Sequence, residues 1–315
     1  MSRGLGDVYK RQELSNQRFD KVVAELTPDL SRSKIKQLIL LGKVLLNGEV
    51  TPPKQKVETG DEIEIFYTRQ IETAWQPEKI AFEIIEETED FVVVNKPANL
   101  VIHPGAGVQN GTLANGLLFK FPELENMVRA GIVHRLDKDT SGVLIVAKKE
   151  NFRLHFIHQL QVRAVKKEYL GFCIGNLRIN STIDSPIGRD KRNRTKMDCR
   201  DDGKDAITHL GLVENLGGYS VLRIRIETGR THQIRVHLAS KKMPLIGDKT
   251  YNRGKNCAKD TPVDIIDYIK DFPRQALHSH DIEFVDSVGK TYSFQSDLPE
   301  DLRSLQVKLQ ETYLK

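Results

Sequence analysis

Only three cysteines occur in the 315 residues, Cys173, Cys199 and Cys257, and none falls in a CxxC pair. Such wide spacing excludes a disulfide framework and a thiolate zinc site, and suits a reducing cytoplasm. No apolar run approaches the roughly 20 residues of a membrane helix, and the N-terminus shows no apolar secretory core. Phosphate and metal signatures are missing as well. There is no GxxxxGK[ST] and no HExxH, and GAGVQNG at 105–111 lacks the spacing of a dinucleotide fingerprint. His155 and His158 can share a helix face, but without a third ligand nearby they read as a surface pair. Nothing in the chain demands a cofactor or a metal. Neither a short repeat nor a regular βαβ alternation is present. The net charge of +5 permits a nucleic-acid partner without requiring one.

What is present divides into two parts. Residues 1–12, MSRGLGDVYKRQ, carry no periodicity and read as a non-native or disordered leader. Residues 13–67 read as a small α+β domain. RFDKVVAEL places Phe19, Val22, Val23 and Leu26 at helical spacing and stops at Thr27-Pro28. Ser31 is a candidate N-cap for a second helix, SRSKIKQLILLGK, closed by Gly42. Asn47-Gly48 between apolar runs signals a hairpin. Two short helices followed by VLLNGEV, with Arg32, Lys34, Lys36 and Lys43 around the second helix, resemble the S-four-type RNA-binding domain. That likeness implies that these four residues face RNA; by charge alone they would be a solvated helix face.

Residues 68–80 are polar, broken by Pro77, and read as a linker. From 81 to 315 the chain is rich in strands. FEIIEE, FVVVNKP, GVLIVAKK, EYLGFCIG, AITHLGLVE, YSVLRIRIE, HDIEFVD and KTYSFQS fit that reading, several with period-two alternation. Helices are expected at NFRLHFIHQL, THQIRVHLAS and DLRSLQVKLQ. The expected fold is α+β: a mostly antiparallel mixed sheet flanked by helices, plus the small N-terminal α+β domain.

The stretch GIVHRLDKDTSGVLIV, residues 131–146, sets a crowded polar segment at the mouth of an apolar strand. From spacing alone, Asp137 beside Arg135 is more often a structural ion pair than a catalytic group. The wider sequence changes that balance. HRLDKDTSG resembles the central motif of the RluA-type pseudouridine synthases, whose catalytic aspartate matches Asp137; Asp139 is then a secondary loop carboxylate. NKPANLVIHPG resembles the family's opening strand and turn, with Asn99 where the family often has Gly. KKEYLG resembles its second motif, whose tyrosine is Tyr169. TGRTHQIRVHLA resembles the third, whose basic residue is Arg235. PLIGDKTY and RQALHS resemble the closing motifs, with Leu277 as the apolar pocket residue. The N-terminal domain favours the ribosomal members; the D-type subgroup is the most similar, with the C-type next.

The resemblance implies isomerisation of specific uridines in large-subunit ribosomal RNA, free or in a pre-ribosomal particle. It implies no membrane partner and no obligate protein partner. The reaction breaks the uracil–ribose bond, rotates the base and rejoins it through carbon 5, so no cofactor is required. Asp137 is expected to attack covalently or to assist an elimination. Arg235 would favour its anion and fix its geometry. Tyr169 would stack on the base or accept a proton, and Leu277 would form an apolar wall. The target base must leave the RNA stack; Arg135 is expected to fill its place or grip a phosphate, with His134 as a further substrate contact. RDKRNRTKMDCR, residues 189–200, carries six basic and two acidic residues. The family places an RNA-facing hairpin there, so Arg194 and Lys196 are expected at phosphates, with Lys204 extending the surface. A non-catalytic RNA-binding assembly factor and a base-releasing glycosidase are the competing readings.

Overall fold

The computed structural model describes residues 7–9, 16–27, 30, 32–66, 75–105, 107–252, 254 and 256–314. The chain divides into two compact units, Met1–Glu72 and Thr73–Lys315.

In the first unit, α1 (Phe19–Leu26) and α2 (Arg32–Leu40) pack on a three-stranded antiparallel sheet. Its strands are β1 (Asp7–Tyr9), β2 (Val44–Leu46) and β3 (Ile63–Ile65), in the order β1-β3-β2. The apolar stripe read from the sequence, Phe19, Val22 and Val23, meets Ile35, Ile39 and Val44 in one core. Three residues of the expected leader, Asp7–Tyr9, form β1 by pairing with the edge of β3. The expected N-cap Ser31 and the side chain of Lys34 lie outside the described part. Asn47 and Gly48 both take positive φ, 52° and 77°, and make the tight turn. The hairpin itself stops at one bridge, Leu46 to Glu49. Pro52 and Pro53 follow closely and cannot donate to a ladder, so β2 pairs with β3 instead.

The second unit is built on a nine-stranded sheet, consisting of β4 (Glu83–Glu87), β5 (Phe91–Lys96), β6 (Ser141–Ala147), β7 (Lys166–Ile174), β8 (Ser181–Asp184), β11 (Ile207–Leu216), β12 (Tyr219–Ile226), β13 (Leu277–Val285) and β14 (Thr291–Gln295). The order runs β4-β5-β6-β13-β7-β12-β11-β8, with β14 on β13. Every pairing is antiparallel except β6 with β13, so the sheet is mixed and mostly antiparallel, as expected. β9 (Ile187–Arg189) and β10 (Met197–Cys199) form a separate hairpin.

Both faces of the sheet are covered, which explains why its central strands are apolar on both sides. On one face Val92, Val94, Leu144 and Val146 pack with α3 (Leu113–Lys120), while Leu222 and Ile224 lie in the same core as Ile234 and Leu238 of α5 (Gln233–Ser240). On the other, Phe91, Val93 and Ile145 meet Phe152 and Phe156 of α4 (Glu150–Gln161). Further along that face, Phe172, Ile174 and Val221 pack with α6 (Val263–Lys270) and α7 (Glu300–Tyr313). Leu302, Leu305 and Leu309 anchor α7; each is fully buried and contributes roughly 1.5–3 kcal/mol. Period-two alternation in YSVLRIRIE places Val221 on the side of Arg223 and Arg225, yet α7 gives it a second core there.

Residues 75–80 belong to this unit rather than to a linker. Trp75 and Ile80 pack on the core, and the Asn115 side chain of α3 donates to the Gln76 carbonyl at 2.7 Å. No described helix is long and apolar enough to cross a membrane, and no described cluster of side chains could hold a metal.

Candidate active site

Residues 132–140 lead into β6 at the one place where the sheet is parallel. Gly142 takes φ 111°, and a Cβ there would run into the backbone carbonyl of Ser279 on β13. Only glycine lets the two strands approach. β13 then turns to pair with β14, leaving one edge of β6 open. The polar segment closes it: Ile132 bridges Val146, and the Ile145 N–H donates to Nε2 of His134 at 2.9 Å. Burial, with help from the Lys167 charge, pushes His134 down to about 3, so its imidazole stays neutral and able to accept. His134 lines the cleft, with this nitrogen committed to the backbone.

Two buried cations hold the loop from beneath. Lys96, fully buried at the end of β5, donates to the carbonyls of Pro97 (2.8 Å), Leu100 (3.0 Å) and Lys138 (2.9 Å). Burial pushes it down to about 7, against the charges of Asp139 and Asp137. Arg274 donates to the carbonyls of Asp139 (3.0 Å) and Leu277 (3.2 Å), while its fork binds Asp301 at the start of α7 at 2.6 and 2.9 Å. Both residues lie in the quoted motifs, yet sequence reasoning gave neither a role. An isolated cation amid apolar letters was the available signal. Asn99 sits at φ 61°, which explains why an Asn can stand where the family often has Gly.

Above these supports, Asp137 accepts Nη1 of Arg235 at 3.0 Å. Arg235 is on α5, 98 residues away in sequence. It is not a private partner of Asp137, as the sequence suggested: its Nε and Nη2 fork grips Asp248 at 2.7 and 2.9 Å. Burial opposes the guanidinium charge, but Asp248 and then Asp137 raise its affinity for the proton above the ordinary value. Asp248 also accepts the N–H groups of Thr250 and Tyr251, at 3.0 and 3.2 Å. Sequence reasoning missed it, although it lies within the quoted PLIGDKTY.

His232 stands at the start of α5 with φ 56°, which delays the helix by two residues relative to expectation. The Tyr251 hydroxyl accepts the Met197 N–H at 2.9 Å and shares a hydrogen bond with Nδ1 of His232 at 2.7 Å. The other ring nitrogen faces Asp137 at 4.0 Å. Burial lowers the His232 pKa, with Asp137 opposing.

Asp137, His232 and Arg235 line a cleft of about 450 Å³, within the range of small-ligand sites. Tyr169 and Leu277, each about 5 % exposed or less, form part of its apolar wall. Burial, with the negative Asp137 nearby, raises the Tyr169 hydroxyl well above its ordinary range, against its hydrogen bond with Ser279. That keeps the phenol protonated. Arg135 is exposed at the mouth and forms no ion pair among the described residues, so the competing loop ion pair is not made.

The remaining basic residues differ in what they touch. In the first unit, Arg32 and Lys36 lie 3.6 and 3.8 Å from the buried Asp20, while Lys43 is exposed. Burial opposes the Asp20 charge, but the Arg18 hydrogen bond and these cations hold its carboxyl below the usual range. In the β9–β10 hairpin Arg194 is exposed, but Lys196 donates to the Thr250 carbonyl at 3.0 Å. Nε2 of His155 lies 3.0 Å from the Val285 carbonyl.

Comparison with known proteins agrees with this arrangement. The RNA pseudouridylate synthase family model matches residues 90–240 and the S4 domain model residues 17–63. A protein of Xanthomonas campestris pv. campestris named ribosomal large subunit pseudouridine synthase D is 41 % identical over 298 residues, 94 % of this chain and 90 % of that one. Its namesake in Haemophilus influenzae is 40 % identical over 304 residues, 96 % and 94 % of the two chains. The chain belongs to the RNA pseudouridylate synthase family, with an S4 domain at its N-terminus. Two human structures share the fold. RNA pseudouridylate synthase domain containing 1 has TM-score 0.55 and 24 % identity, over 74 % of this chain and 96 % of that one; RNA pseudouridylate synthase domain containing 4 has TM-score 0.56 and 21 % identity, over 72 % and 92 %.

Proposed function

We propose that this protein isomerises specific uridines of large-subunit ribosomal RNA to pseudouridine, with Asp137 as the reacting carboxylate. The observation that carries the reading is Asp137 itself, fixed by Arg235 at 3.0 Å in a cleft walled by Tyr169 and Leu277. The large-subunit substrate rests on relatives that carry that name over nearly the whole chain. The D-type reading is preferred over a C-type synthase with other target uridines on the same ground.

In this reading Tyr169 and Leu277 sandwich a base extruded from the RNA, and Arg135 at the mouth fills its place or binds the adjacent phosphate. The C1′–N1 bond breaks, C1′ joins C5, and the C5 hydrogen leaves as a proton while N1 gains one. Atoms and electrons balance without a cofactor. Asp137 serves either by attacking C1′ or by assisting an elimination to a glycal. Arg235, clamped by Asp248, holds its geometry through both steps. The basic helix of the first unit and the exposed Arg194 supply phosphate contacts outside the cleft. The site of action is the cytoplasm, on free RNA or an assembling subunit.

Ribosomal RNA transcripts with tritium at uracil C5 test the reading. Release by wild type and none by Asp137→Asn, which should still bind RNA, is the expected result. Normal release by Asp137→Asn would remove Asp137 from the chemistry. Binding without release, on transcripts and immature particles alike, would make the protein an assembly factor; free uracil and abasic RNA would make it a glycosidase.

A further inference from the structure

Lys167 lies on β7 two residues before Tyr169, hence on the same face of the strand and about 7 Å along it. It lines the cleft and is 8 % exposed. Its stem is buried, but its ammonium is not shut off from solvent: it opens into the cleft and makes no hydrogen bond or ion pair among the described residues. Glu227, the other carboxylate lining the cleft besides Asp137, is engaged by His209 at 2.8 Å and Arg163 at 3.2 Å. Nearby His134 is neutral and already accepts from Ile145. An ammonium in this position is a donor waiting for an anion that the protein does not provide.

We propose that Lys167 is a substrate-binding residue whose ammonium takes a phosphate oxygen of the flipped nucleotide, while Tyr169 and Leu277 hold the base. The inference rests on the uridine-isomerising reading above. Direction along the strand favours phosphate over base: with the base stacked on Tyr169, the sugar spans the step to Lys167 and the phosphate follows. Arg129, Arg135 and Arg230, which also line the cleft, add to the positive potential on a polyanion. Gly229 lies beside the amine, and a Cβ added there would touch Nζ at 3.7 Å, so the glycine keeps that side of the amine free of a side chain. Burial lowers Lys167 to about 8, so it is largely charged at neutral pH, and an arriving anion stabilises that charge.

Lys167→Met and Lys167→Arg variants, compared with wild type on a tritiated ribosomal RNA stem-loop at several salt concentrations, test this. Lys167→Met should raise KM and the RNA dissociation constant about tenfold or more, the effect of one charge-assisted bond. Its slope of log affinity against log salt should shrink by roughly 0.7–0.9. Lys167→Arg should recover both, and in Lys167→Met KM should rise more than kcat falls. Urea midpoints from Trp75 fluorescence establish that the variants fold; if Lys167→Met does not, Lys167→Gln replaces it. Unchanged KM and salt slope would overturn the phosphate contact. Loss of kcat in both variants at unchanged affinity would also overturn it, moving the amine into the chemistry. Absence of tritium release from wild type would instead count against the isomerase reading itself.

Discussion

Replacing Asp248 by Asn should damage stability more than replacing Asp137, while activity should respond in the opposite order. Asp248 is 1 % exposed and accepts four N–H groups, two from Arg235 and one each from Thr250 and Tyr251. Breaking a buried ion pair costs about 3–5 kcal/mol, because the surviving charge stays buried. Here Asp137 remains as a second counter-charge, and an amide oxygen still accepts at one position. The amide nitrogen, however, sets a donor against a donor. A loss of about 2–4 kcal/mol follows. Asp137 has a more exposed side chain, 16 %, and accepts one N–H from Arg235, so Asp137→Asn should cost about 1 kcal/mol or less. Trp75 is the sole tryptophan and packs in the core of the second unit, so its fluorescence in urea follows that unit by itself. Tritium release then separates the roles: none from Asp137→Asn, and reduced kcat with little change in KM from Asp248→Asn. The reasoning is refuted if Asp248→Asn lies within about 0.5 kcal/mol of wild type, or if Asp137→Asn is the more destabilised.

Gly142→Ala should lose about 3 kcal/mol or more, since φ 111° and the Ser279 carbonyl both oppose a Cβ; an unaltered urea midpoint would contradict the close parallel approach. Acid should destabilise the second unit through His134 and His278, whose folded values, about 3 and about 4, lie below the 6.5 of an unfolded histidine. Below pH 6.5 the unfolded chain takes up protons that the folded one refuses, so stability falls from about pH 6.5 towards 4 and 3. His134→Gln keeps an acceptor for the Ile145 N–H without titrating, and its melting temperature should fall less steeply over that window. Arg194→Ala should reduce the salt slope of RNA binding by roughly 0.7–0.9, whereas Lys196→Ala, whose amine is engaged by Thr250, should change it less. Equal reductions would mean that Lys196 leaves Thr250 for RNA.

Periodicity made the long strands and the helices α4 and α7 readable, because each joins a recurring apolar side to a clear stop. α3 was missed for a physical reason: LANGLLFK is buried nearly all round, so it has no polar face to mark a helical period. β8, β9 and β10, at three or four residues, are too short to show alternation. Asp137, Tyr169, Arg235 and Leu277 were found through motif resemblance, and the fold does bring them to one cleft. Composition alone ranked Asp137 as an ion pair. What no local pattern contains is the charge arrangement around them: Asp248 sharing Arg235, and Lys96 and Arg274 gripping the loop, each depend on register between distant segments.

Lys96 and Arg274 grip the loop by main-chain oxygens, those of Lys138 and Asp139, and tie them to the carbonyls of Pro97, Leu100 and Leu277 on neighbouring segments. A carbonyl is present whatever side chain a residue carries. The path of the loop is therefore insulated from the identity of position 138, whose exposed side chain can change without moving Asp137, whereas the charge of Asp139 helps keep Lys96 protonated. What holds Asp137 in place at Lys138 is thus the main chain, and what that residue offers to solvent is free to vary.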